Sequence, residues 1–154
     1  MMLEYEIVTA DNSHLLPLAA DMREADRREV WASHRDKPYE ALSRSLKASD
    51  RAWTALVGGR PVLIWGVARS GCLLSEKGSP WMLGTNELPQ YWLEFLRQSR
   101  GWVEKMQKGY ALLENYVHGA NEISIRWLKW CGFQMAEEAT VFNREIFYRF
   151  WRKV

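Results

Sequence analysis

The chain has 154 residues, 47% hydrophobic and 26% charged, enough for one domain with a packed core and too apolar for a disordered chain. Its 21 basic and 19 acidic residues leave a formal charge of +2, so no footprint for nucleic acid or an anionic membrane surface is expected. No apolar stretch approaches the roughly 20 residues that span a bilayer, and Met1 to Glu6 lacks the basic and apolar segments of a signal peptide; the cytoplasm is the expected compartment.

In chain order, Leu3 to Thr9 alternates weakly and predicts a first strand. Asp11, Asn12 and Ser13 offer N-caps for one helix from about His14, with Leu15, Leu18, Met22 and Ala25 on its apolar face and Arg23, Glu24, Arg27 and Arg28 on its charged face. Pro38 opens a second helix with a stripe of Tyr39, Leu42 and Leu46. Ala52 to Val57, Gly58-Gly59 and Pro61 to Ala68 predict a hairpin, its second strand apolar enough to be covered on both faces. Pro80 to Thr85 is a short strand. Leu88 to Lys108 is the longest helical pattern, with Trp92, Phe95, Leu96, Trp102 and Met106 inward and Gly109 as its stop. Tyr110 to His118 predicts another strand. Asn121 caps a short helix that ends at Gly132, and Phe133 to Ala136 and Glu145 to Trp151 are the last two strands. Runs of adjacent strands mixed with crossover helices predict an α/β (α+β) domain over 1–154, its mixed sheet covered by helices on both faces.

Several residue types carry less. Nine Trp, six Tyr and five Phe are expected mainly in the core, with some, among Trp81, Trp92, Trp127 and Trp130, left for a groove or a partner surface. Cys72 and Cys131 match no metal spacing, and Cys131 at a helix end is expected to be a buried, inert thiol. His14, His34 and His118 stand far apart, so no metal site is expected. The basic residues Arg144, Arg149, Arg152 and Lys153 fit a solvated terminal strand.

The element order, and the segment Asn121-Glu-Ile-Ser-Ile-Arg-Trp-Leu-Lys-Trp-Cys-Gly-Phe133 with its capping Asn and Gly-Phe exit, resemble the GNAT acyltransferases. That resemblance implies a mixed, mostly antiparallel central sheet. It also implies acetyl-CoA or another acyl-CoA held between splayed strands, with Met82, Leu83, Gly84, Thr85 and Asn121 beside it. A narrower likeness covers Trp81 through Glu137, which resembles the internal virion protein A family of short-tailed coliphages in its Asn115-Tyr116-Val117 strand and its Ile125-Arg-Trp-Leu-Lys129 helix. This implies a phage- or prophage-encoded, virion-associated protein with a phage or host protein as partner.

Two departures separate the chain from active relatives. Gly84-Thr85-Asn86-Glu87-Leu88-Pro89-Gln90 stands where the family has a glycine-rich phosphate turn, and it carries one glycine, an acidic side chain and a proline without an amide. Leu128 stands where many members place a proton-donating tyrosine. Tyr116 is the candidate replacement acid and Glu114, on the same strand face, the candidate base; the competing reading makes both surface or partner-facing groups. The losses favour a protein that keeps the fold for binding or virion assembly without efficient acetyl transfer. The alternative is an acyl-CoA-dependent N-acyltransferase with a degenerate phosphate loop.

Overall fold

A computed structural model describes residues 5–72 and 74–154. Leu3 and Glu4, assigned above to the first strand, lie outside them; its described part is β1, Tyr5–Thr9. A short 3₁₀ turn at Asn12–His14 is capped by Asp11, whose carboxylate accepts the Ser13 amide at 2.8 Å.

Where one helix was expected from His14, there are two: α1 (Leu15–Ala20) and α2 (Glu24–His34). The break has a physical reason. Asp21, Met22 and Arg23 run as a short edge against the end of the fourth strand: Met22 bridges Thr85, Arg23 donates its amide to the Gly84 carbonyl, and the Asn86 amide donates to Asp21. The carbonyls left at the end of α1 are taken by the Arg27 guanidinium, which donates to Ala19, Ala20 and Met22. Pro38 opens α3 (Pro38–Ala48) as expected.

The hairpin follows: β2 (Ser49–Val57), then Gly58 and Gly59 at φ of 55° and 77°, then β3 (Arg60–Arg69). Two consecutive positive φ angles give a turn whose twist matches its strands. β4 (Lys77–Gly84) is longer than predicted, and the long helical pattern resolves into a 3₁₀ turn at Leu88–Tyr91 and α4 (Trp92–Gln107). β5 (Leu112–His118), α5 (Glu122–Trp130) and β6 (Gln134–Met135) come next. A strand the periodicity did not reveal, β7 (Thr140–Phe142), pairs with β8 (Glu145–Lys153) across Asn143 and Arg144, at φ of 49° and 66°.

These strands form one eight-stranded sheet in the order β1-β2-β3-β4-β5-β8-β6, with β7 beside β8. All neighbours are antiparallel except β4 and β5, whose parallel pairing covers only Lys77 with Leu112 and Gly78 with Leu113. On one face α1, α2 and α3 pack Leu15, Leu18, Met22, Val30 and Leu42 against Ile64 and Leu83. On the other, Phe95, Val103 and Met106 of α4 and Leu128 of α5 pack with Trp65, Val67, Leu113 and Phe150. Much of the aromatic load lies here: Trp53, Trp65 and Trp102 form a cluster with centroids 5.2–6.3 Å apart. Among the described residues no helix is long and apolar enough to cross a membrane.

Candidate functional site

Beyond Gly78 and Leu113, β4 and β5 part. A side-chain strut bridges the start of the gap, the Asn115 amide donating to the Pro80 carbonyl at 2.8 Å. From there a cavity of about 510 Å³ passes between the strands, a size typical of small-molecule sites. Its walls come from both faces of the sheet: Glu29, Ser33 and Ser45 on the α2–α3 side, Met106, Ser124 and Leu128 on the α4–α5 side. Trp81, Tyr116, Phe142 and Phe147 add aromatic lining.

The alternation of an antiparallel ladder decides which backbone groups face this gap. Thr85 donates its amide to Val62 of β3, so Leu83 also turns its backbone toward β3, while Met82 and Gly84 turn theirs toward β5. At Gly84 both groups are engaged: its amide donates to Asp26 at 2.9 Å, and its carbonyl accepts the Arg23 amide. Met82 therefore presents the open donor and acceptor of this edge.

A buried charged cluster closes the wide end of the gap. Asp26 is 1% exposed and Arg23 7%, and the two form an ion pair at 3.2 Å. The Asp26 carboxylate also accepts from the Asn121 side chain at 3.3 Å. Burial pushes the Asp26 carboxyl above its usual range, against the pull of Arg23, the Gly84 amide and Asn121. One turn further along α2, Glu29 lines the cavity and accepts the His118 amide at 2.7 Å, a donor left free on the side where β4 has parted from β5. Burial, and then the Asp26 charge, push Glu29 up to about 7.

The sequence-derived candidates fall as follows. Met82 and Leu83 line the cavity, whereas Gly84 and Thr85 have their backbone groups engaged within the fold. Asn121 begins α5 but makes no side-chain cap; its amide reaches Asp26 instead, and its Oδ1 is buried without a partner. Tyr116 lines the cavity with its ring edge-on to Phe142 at 5.1 Å. Glu114, on the same strand, is not in that lining. It binds Arg149 and Lys77, and although burial acts upward, these hydrogen bonds hold its carboxyl below the usual range. Leu128 is buried and forms part of the wall. Trp81 and Trp127 line the cavity too, anchored by Ser49 and Ser99, while Trp130 lies exposed under the Arg100 guanidinium at 4.2 Å. Cys131 is buried, and its thiol is pushed up to about 12 by that burial.

Sequence reasoning missed Asp26 and Glu29. A signal was present: Met22, Asp26, Glu29, Val30 and Ser33 recur at three- and four-residue spacing, so the carboxylates share a stripe with apolar residues. The neighbouring arginines masked it by marking the segment as a solvated face.

No family model matches the chain, and no curated protein sequence matches it significantly, so the likeness to the internal virion protein A family gains no support. Solved structures do match. An acetyltransferase from Bacillus subtilis in complex with CoA superposes with a TM-score of 0.62 at 14% identity, over 99% of each chain. A GCN5-related N-acetyltransferase from Kribbella flavida gives 0.68 at 12% identity, over 97% of this chain and 98% of that one. The aminoglycoside acetyltransferase AAC(6′)-Ib in complex with coenzyme A gives 0.67 at 13% identity, over 97% and 95%. Across nearly its whole length the chain has the α+β fold of the GNAT acetyltransferases.

Proposed function

We propose that this protein is an N-acyltransferase, taking an acyl group from a pantetheine thioester of the acyl-CoA type and passing it to an amine. The observation that carries the proposal is the cavity through the parted strands, with a carboxylate titrating near neutrality on its α2 side. The CoA-bound neighbours of the same fold support it.

A bound pantetheine thioester supplies an activated carbonyl, and the rest falls to the chain. Met82 offers a backbone donor and acceptor to which an amide-containing arm can add as a strand. Glu29, oriented by the His118 amide, accepts the proton of the attacking nitrogen. A carboxylate with a pKa near 7 is both substantially ionised at neutral pH and more basic than an ordinary one. Tyr116 is the phenol in the lining and the candidate donor to the departing sulfur. Trp81, Phe142, Phe147 and Leu128 limit water around the thioester.

The test is thiol release from acetyl-CoA with a panel of primary amines, together with the thermal shift at millimolar donor. Saturable donor binding and amine-dependent release are expected. A complete lack of stabilisation by both acetyl-CoA and S-acetyl-pantetheine would sink the reading, because a ligand of the native state stabilises it by mass action.

A second reading is favoured by Leu128, which offers no proton, and by the hydrogen-bonded state of the loop after β4. On that reading the fold serves as a binding scaffold for a phage or host protein, and the virion-associated role rests on the sequence likeness alone. Donor binding without turnover for any amine would favour it.

A further inference from the structure

We infer that the protein recognises its donor through the acyl-pantetheine half alone, leaving the adenosine diphosphate end of coenzyme A outside its grip. The inference rests on the acyltransferase reading and deepens it. Anion cradles at helix starts work because free backbone amides converge on the phosphates and small residues let them approach. Neither condition holds in the loop between β4 and α4. The Thr85 amide donates to Val62, the Asn86 amide to Asp21, and the Leu88 amide to the Thr85 carbonyl. The Glu87 amide donates to the Thr85 hydroxyl and the Gln90 amide to the Glu87 carbonyl. Pro89 has no amide. Every backbone N–H from Thr85 to Gln90 is thus engaged within the fold.

The space is filled as well. A Cβ at Gly84 would stand 2.9 Å from Leu88 Cδ2, and Leu88 is 1% exposed. The glycine therefore accommodates the chain's own leucine rather than a phosphate. The cations beside the loop are already committed to carboxylates: Arg60 pairs with Glu87 at 2.8 Å and Arg97 with Glu94 at 3.9 Å. The pantetheine part of the site shows the opposite condition: an open Met82 edge and a roomy cavity. The ligand chemistry that fits is an acyl group on a pantetheine arm, carried either on a free small molecule or on a carrier protein.

Calorimetric titration of the full chain with coenzyme A and with pantetheine tests this directly. Dissociation constants within about threefold of each other, a difference of less than one kcal/mol, are expected. Coenzyme A binding should also change less than about twofold between low and high salt, since no phosphate contact is there to be screened. Coenzyme A binding thirtyfold or more tightly than pantetheine, and weakening with salt, overturns the inference. In turnover, S-acetyl-pantetheine should match acetyl-CoA in kcat/KM within about threefold, and an acetylated phosphopantetheinyl carrier protein forms the third arm. Faster turnover of the carrier protein, or equal turnover of all three donors, supports the inference and separates the two sources. If neither coenzyme A nor pantetheine binds, the acyltransferase reading itself falls, an outcome distinct from tight, salt-sensitive coenzyme A binding.

Discussion

Glu29 concentrates the chemistry proposed for this site, because its carboxylate combines a cavity position with a pKa pushed up to about 7. Replacing it by Gln keeps an oxygen for the His118 amide and removes the base. Glu29→Gln is expected to lower kcat/KM for acyl transfer by about 10²–10³-fold and to abolish the rise of rate with pH near 7 that is expected of the wild type. The same residue makes a separate prediction about stability. Its folded pKa lies above the unfolded value of 4.5, so the native state binds more protons than the unfolded state between the two. Stability therefore falls as pH rises from about 4.5 through about 7. In thermal denaturation, Glu29→Gln should be more stable than wild type at pH 8, by on the order of 1–3 kcal/mol, with a flatter profile from pH 5 to 8. Equal slopes for the two proteins would locate the titration elsewhere. Tyr116→Phe should cost about tenfold or more in kcat if the phenol serves the departing sulfur, and leave donor binding unchanged.

At the scale of elements, the Asp21–Arg23 link and the start of α2 hold the parted strands at a set width. Asp26 joins α2 to the end of β4 through the Gly84 amide and to the start of α5 through Asn121. Removing it leaves Arg23 buried without its charge partner. Asp26→Ala is expected to cost about 3–5 kcal/mol in denaturant unfolding, whereas Arg144, at the exposed tip of the β7–β8 turn, should tolerate a change to a small residue far better. Most of this layer was legible in the sequence. The Gly58-Gly59 turn, the Pro38 start and the Gly132 exit are local signals that tertiary packing does not override. The break between α1 and α2 was not legible. It depends on backbone groups of Thr85 and Gly84 more than 60 residues away, and local periodicity carries no trace of such a partner. β7 was hidden because its three residues are too short for a period, although Asn143 in a left-handed conformation is a recognised turn signal. The candidate site was half legible: Met82 and Tyr116 lie on strands that periodicity could find, while Glu29 lines a cavity that exists only once distant elements have packed together.

For the molecule as a whole, the β4–β5 seam divides the sheet into two halves. Four strands lie on one side of it and four on the other, with only two residue pairs between them. The layer under α1–α3 draws all its buried members from residues before Lys108, whereas the layer under α4 and α5 takes members from both sides. The first part of the chain thus has a complete core on one face of its own, and the second part has none. A chain severed at Gly109 should accordingly behave asymmetrically. The long fragment, 1–109, should retain circular dichroism from its Trp53–Trp65–Trp102 cluster, and the short one, 110–154, should gain order only on mixing with it. The molecule is built as a host and a guest leaf, and the slot where chemistry is proposed is the joint between them.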